Sequence, residues 1–198
     1  MDEITTEPHP LEPFLPEGAK LLMLGSFPPS RKRWSMDFFY PNFQNDMWRI
    51  VGFLFFDDKG YFHVDPDKGK GFDREKIIRF CTEKGIAIFD TASEIRRLKG
   101  TASDADLEIV KPTDIRSLLD RLPKCNAVAA TGGKAASQAA AFFHCEEPPV
   151  GGSIVMTTGS GQSIELFRMP STSRAYPIPL EKKASAYGMM FRKTGILI

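Results

Sequence analysis

The residues best suited to chemistry in this chain sit in two loops of matching character. The first, Gly25-Ser26-Phe27-Pro28-Pro29-Ser30, leaves the apolar run Leu21-Leu22-Met23-Leu24. The second, Pro170-Ser171-Thr172-Ser173, follows the run Ile164 to Arg168 through Met169. Each has basic company, Arg31-Lys32-Arg33 after the first and Arg174 after the second. Serine hydroxyls, backbone N–H groups and guanidinium groups brought together suit the oxygens of a phosphodiester backbone. The same residues also read as two solvated turns with ordinary surface charges.

The elements around them decide between these readings. A short apolar run bounded by turn residues predicts a fully buried parallel strand. Open α/β sheets put their ligand sites at the carboxyl ends of such strands. The prolines fix φ and remove backbone donors, so the first loop is stiff and cannot extend the sheet. Both loops are therefore expected on one sheet edge, facing each other across a cleft.

The pattern predicts strands over Leu21–Gly25, Ile86–Phe89 (ending at Asp90-Thr91) and Ala127–Ala130, and a hairpin of Ile154–Thr158 with Ile164–Arg168 around Gly159-Ser160-Gly161-Gln162. Helices are predicted over Asn45–Phe56, Asp73–Lys84 with Gly85 as terminator, Thr113–Leu122 with Thr113 as N-cap, Lys134–Phe143 and Leu180–Phe191. Asp57–Gly71 reads as an exposed loop with a short hairpin near Tyr61–Val64, and Thr91–Val110, with Arg96, Arg97 and Lys99, as a long polar connection. Alternating strands and helices predict a three-layer α/β/α sandwich on a short, mostly parallel sheet.

The chain has 198 residues, 42% hydrophobic and 26% charged, enough for one domain over residues 19–198 after an extended, proline-rich lead-in over 1–18 that packs Leu11 and Phe14 onto the body. A net charge of +1 excludes a global field toward nucleic acid or membrane, so any basic footprint is local. Cys81, Cys125 and Cys145 are scattered and odd in number, which points to a reducing compartment. Asp2, Glu3 and Glu7 and the lack of a basic-then-apolar start argue against a signal peptide, and no apolar stretch reaches the roughly 18 residues of a membrane span. A cytoplasmic monomer is expected.

Three fragments in order resemble one family. Gly25-Ser26-x-Pro28 at the first strand end, Phe39-Tyr40-Pro41-Asn42-Phe43-Gln44-Asn45-Asp46-Met47-Trp48 opening a helix, and Pro170-Ser171-Thr172-Ser173 at a late strand end resemble the uracil-DNA glycosylase superfamily, most closely its hypoxanthine-DNA glycosylase branch. The resemblance runs from about His9 through Phe191. It implies an enzyme that flips a deaminated base out of DNA and cleaves its N-glycosidic bond, with oxocarbenium character at the sugar and attack by water. No cofactor is expected, and the absence of a cysteine cluster argues for a metal-free member rather than the superfamily's iron–sulfur branches.

Under the resemblance, Asn45 and Ser26 are the candidate catalytic residues. Mismatch-specific uracil glycosylases carry a catalytic Asn where this chain has Phe27; in the hypoxanthine branch the Asn opening the Asn-x-x-Trp helix takes that part, here Asn45. An amide can orient a water by accepting from it and donating to it, whereas a bare N-cap role explains Asn45 as well. Gly25, Phe27, Pro28, Tyr40, Asn42, Trp48 and Asp90 are the candidate base pocket. Phe27 and Tyr40 are the better stacking groups, since Trp48 also reads as core and Asp90 as a turn cap. Ser30, Arg31, Lys32, Arg33, Lys134, Ser171, Thr172, Ser173, Arg174 and Tyr176 are the candidate DNA contacts, Tyr176 being either a wedge or a packed surface aromatic. Met169 stands where many relatives have a base-contacting His and cannot donate; backbone N–H groups of the Ser171–Arg174 loop are the substitute.

Other signals fail. Gly132-Gly133-Lys134 lacks the remaining P-loop residues, leaving Lys134 at a helix start as a candidate contact to one phosphate. His9, His63 and His144-Cys145 have no partners at metal spacing. A catalytically inactive nucleic-acid-binding module of the same fold, or a nucleoside or nucleotide hydrolase, are the rival readings.

Overall fold

The computed structural model describes residues 6–98, 106–158 and 161–198. The first five residues of the lead-in, Lys99 and its neighbours through 105 in the expected connection, and Gly159 and Ser160 of the expected turn lie outside the described residues. The elements run β1 (Thr6–Pro8), β2 (Leu21–Gly25), α1 (Met47–Phe56), α2 (Arg74–Lys84), β3 (Ile86–Asp90), β4 (Ala92–Arg97), β5 (Leu107–Pro112), α3 (Ile115–Asp120), β6 (Ala127–Thr131), α4 (Gly133–Phe143), β7 (Ser153–Thr157), β8 (Ser163–Met169) and α5 (Leu180–Lys193).

A five-stranded sheet has the order β3-β2-β6-β8-β7. The pairs β2–β3, β2–β6 and β6–β8 are parallel, and only the β7–β8 hairpin is antiparallel. β2, β3 and β6 are buried at every position, which is why they read as unbroken apolar runs. After β2 the chain first pairs to one side with β3 and then crosses to the other side with β6. α2 packs on β3, and α5 on β8. α1 packs on α5, and α4 on β6. This is the expected mixed α/β architecture with a largely parallel sheet.

Local chemistry sets the helix ends. Asp73 caps α2 by accepting from the Lys76 N–H at 3.0 Å, and Gly85 ends it at φ 71. The expected Thr113 cap is a correction: Asp114 caps α3 through the Ser117 N–H, while the Thr113 hydroxyl donates to the Asp90 carbonyl at 2.7 Å. α3 is correspondingly shorter than expected. The Tyr61–Val64 hairpin reduces to one antiparallel bridge, His63 to Phe72.

The largest correction is in residues 91–110. β1, β4 and β5 form a separate antiparallel sheet, with a small core of Phe27, Ala92, Ile95 and Leu107. Register shifts near Glu94 break the alternation, so β4 buries Ala92 and Ile95, three apart, and hides its strand character. The lead-in docks through β1 and through a reciprocal pair of backbone bonds between Phe14 and Ile88, 3.0 and 2.9 Å.

Cys81, Cys125 and Cys145 are free thiols; burial pushes Cys125 up to about 11 and raises Cys81 further, so both are inert. Burial, and then the Arg49 charge, lowers the His63 pKa against the opposing pull of Asp58, and Nε2 is buried with no hydrogen-bond partner among the described residues. The fold thus binds this proton less readily than the unfolded chain does, and loses stability as pH falls through the ordinary histidine value of about 6.5. The stability gap between the parent and His63→Gln should narrow from pH 7 to pH 5, as read by urea midpoints; a constant gap would exclude His63 from acid destabilisation.

Candidate active site

The register aligns Gly25 with Asp90, Leu24 with Ala130 and Thr131 with Met169, so four parallel strands end on one edge. Both strand-end loops rise there, beside the β2/β6 position where the strand order reverses. A cavity of about 130 Å³ lies between them, lined by the Gly25–Pro29 loop, Phe39–Asn42, Asn45, Asp90, Thr131 and Ser171–Ser173. Its volume suits one flat group rather than a large ligand. A larger cavity of about 330 Å³, between Arg116, Phe143, His144 and Gln162, shares none of these residues.

Asn45 accepts the Met47 N–H on Oδ1 at 2.8 Å. A backbone donor can face only the amide oxygen, so the amide orientation is fixed and Nδ2 is the group left for a ligand. The expected helix start and Asn45 N-cap are a correction: α1 begins at Met47, with Asp46 in the N-cap position and no side-chain cap bond. Asn45, one residue earlier, braces the first turn through Oδ1, which is compatible with a site role for Nδ2. Asn42 Oδ1 accepts from the Gln44 N–H at 3.0 Å in a similar turn. Below them Arg49, buried and stacked 4.6 Å from the Phe43 ring centroid, donates to the carbonyls of Phe43 and Asn45 at 2.6 and 2.9 Å.

Asp90 forms the floor together with His9 of the lead-in. His9 is buried and its Nε2 lies 2.9 Å from Asp90 Oδ2, with Nδ1 2.8 Å from the Leu11 carbonyl. The Asp90 carboxylate thus pairs with His9 rather than capping a turn. Its Oδ1 would stand 2.3 Å from a Cβ on residue 25, which explains why that position is glycine. Beside it the Tyr40 hydroxyl pairs with Thr131 Oγ1 at 2.8 Å. Burial, with Asp90 adding to it, raises the Tyr40 pKa far above its ordinary value, so the phenol is a neutral hydrogen-bonding group. Tyr40 adopts φ 52, a left-handed conformation costly for a bulky residue and held here by the Thr131 bond and the Trp48 ring edge.

Several expected site residues sit elsewhere. Trp48 is a correction: it is 2% exposed, donates to the Phe39 carbonyl at 3.1 Å and packs on Phe38 and Phe62 in the core, outside the cavity. Phe27 lines the cavity, but most of its ring fills the small core of the second sheet, edge-on to His9. Thr172 is buried and turns inward, its carbonyl accepting from the Asp46 N–H at 2.9 Å. Lys134 spends its ammonium on the Leu107 carbonyl. Arg31 pairs with Asp37 and covers the Trp34 ring, while Lys32 and Arg33 are exposed with no ion-pair partner among the described residues. Ser30 and Tyr176 lie outside the cavity lining, and Ser26 is within it. Ser171 and Ser173 accept from the Ser173 and Ala175 N–H groups, which leaves their hydroxyl protons for donation outward. Met169 is buried.

Sequence reading missed His9, Thr131, Arg49, Asp46 and Lys183. Two of them carried a signal: Thr131 lies one residue beyond an expected strand end, and Asp46 stands beside Asn45 in the helix-opening motif.

No family model and no curated protein matches the chain. Among solved structures, the fold is similar to the solution NMR structure of a Methanosarcina acetivorans protein whose own description as a uracil DNA glycosylase is provisional. The two share 20% identity over 96% of this chain and 99% of that one, with a TM-score of 0.64. The likeness establishes the shared fold.

Proposed function

We propose that this protein is a monofunctional DNA glycosylase that flips a deaminated base, such as hypoxanthine or uracil, into the cavity at the carboxyl edge of the sheet. The observation that carries the reading is the convergence of Asn45, Asp90, Tyr40 and the Ser171–Ser173 loop on one base-sized cavity between the two strand-end loops. The fold neighbour's description as a uracil DNA glycosylase supports it.

In this reading the target base enters against Tyr40 and the Gly25–Pro28 loop. Asp90, held by His9, accepts an N–H of the base, and the Tyr40 hydroxyl adjusts as donor or acceptor. Asn45 Nδ2 donates to the attacking water or to the departing base. As the glycosidic bond lengthens, positive charge grows on the sugar and negative charge on the base, and fixed amide dipoles stabilise it without reorganising. Water then adds to the sugar carbon as the bond to the base nitrogen breaks, leaving a hydroxyl on the sugar and the water's other proton on the departed base. Ser171, Ser173 and Arg174 hold the flanking phosphates, and one domain acts as a monomer with no cofactor or metal.

The test is incubation with labelled oligonucleotides carrying hypoxanthine, uracil or xanthine, single- and double-stranded, followed by alkali. Strand scission at the modified position is expected. Tight binding with no scission would leave an inactive binding module, and cleavage of free nucleosides alone a nucleoside hydrolase.

Affinity should fall with salt. Lys32→Ala and Arg33→Ala are each expected to lower the log–log salt slope by about one unit, and Arg31→Ala by less, because Asp37 already engages it. Equal slopes in parent and variants would remove this turn from the DNA footprint.

A further inference from the structure

We infer that Lys183, on the far helix α5, is a positioning residue that clamps the two walls of the cavity together; the inference rests on the glycosylase reading above. Lys183 is 1% exposed, yet it carries an ammonium group. Its Nζ donates to Asp46 Oδ2 at 3.0 Å and to the Ser173 carbonyl at 2.8 Å. Asp46 follows Asn45 at the head of α1, and Ser173 belongs to the opposite wall. One turn further along α5, on the same helical face, the buried Tyr187 hydroxyl donates to the Pro170 carbonyl at 3.1 Å. The Asp46 N–H, in turn, donates to the Thr172 carbonyl. α5 therefore holds both ends of the Pro170–Ser173 loop and locks it to the segment presenting Asn45.

A buried ion pair is poor evidence for stability, because an apolar side chain of the same size fills such space without the desolvation cost. What this pair provides is geometry: one ammonium fixes a carboxylate and a carbonyl from two walls at once. It also gives Asp46 a second cation. Arg174, 56% exposed on its side chain, lies 3.3 Å from Asp46 Oδ1. It can move to a phosphate without stranding the buried carboxylate, since Lys183 remains.

The experiment compares full-length parent, Lys183→Met and the charge-balanced Lys183→Met/Asp46→Asn. Lys183→Met alone leaves Asp46 short of a partner and is expected to unfold more easily; the double variant is expected to regain much of the lost thermal midpoint. Two readouts separate positioning from structure. Amide hydrogen exchange at position 46 and at residues 171–174 should quicken at least tenfold in the double variant while β2 and β6 stay protected. The single-turnover excision rate at saturating enzyme should fall 10- to 100-fold, since a displacement of about 1 Å has that cost, with a smaller change in half-saturation. A double variant that excises at the parent rate, or that shows parent exchange in the loop, overturns the clamp. If the parent excises no base from any oligonucleotide, the glycosylase reading fails, and the exchange result alone decides whether α5 holds the loop.

Discussion

Asn45→Ala is expected to excise a deaminated base at least on the order of 10²-fold more slowly than the parent under single-turnover conditions, while staying folded. The reasoning starts at the helix head. Asn45 Oδ1 receives the Met47 N–H from one residue ahead of the N-cap position, so truncation costs that first-turn hydrogen bond, about 1 kcal/mol. That loss lowers the thermal midpoint by a few degrees and does not touch the chemical step. The large effect comes from Nδ2, the amide donor left to the cavity once the oxygen is committed. Asn45→Asp sharpens the contrast: it keeps the acceptor for Met47 and near-parent stability, but replaces the donor with a second carboxylate in a cavity that already holds Asp90. It is expected to be as slow as Asn45→Ala or slower. Parent-like excision by stably folded Asn45→Ala would reduce Asn45 to a brace for the first turn of α1.

Gly25→Ala carries the second large effect, and here stability and activity fall together. A Cβ at residue 25 would lie 2.3 Å from Asp90 Oδ1, closer than real contacts allow. The carboxylate must shift, which breaks the 2.9 Å contact with His9 and leaves buried polar groups unpaired. Each such group costs about 1–3 kcal/mol. The methyl also intrudes where the base is proposed to sit, so excision should drop more than 10²-fold. Removing the clashing group tests the cause: Gly25→Ala/Asp90→Ala should recover part of the midpoint lost by Gly25→Ala and none of the activity. A Gly25→Ala protein with the parent's urea midpoint would show that the close approach is not a constraint.

Sequence and structure agree where one periodicity dominates. β2, β3 and β6 are buried on both faces, so their apolar runs announced them, and the loops after β2 and β8 were placed on one edge because parallel strands share a direction. The second sheet was hidden for a physical reason: β4 carries a register irregularity at Glu94, and Ala92 and Ile95 fit neither a clean alternation nor a helix. The floor of the cavity was half legible. Asp90 ends a recognisable strand, but its partner His9 lies 81 residues earlier in a proline-rich lead-in, and no local pattern announces such a pairing. Lys183 was invisible for the same reason, since a lysine on an amphipathic helix reads as solvated until the fold brings Asp46, 137 residues away, to its ammonium. Trp48 went the other way, its motif suggesting the pocket while its position on α1 turns it into the core.

The most direct test of the account is chromatographic detection of free base released from oligonucleotides containing hypoxanthine or uracil, at saturating enzyme, for parent and Asn45→Ala together. The account predicts stoichiometric release of intact base by the parent, an alkali-labile site left in the strand, and a rate at least on the order of 10²-fold lower for Asn45→Ala. Binding of these oligonucleotides by the parent without release of any base, or equal release by both proteins, would contradict it.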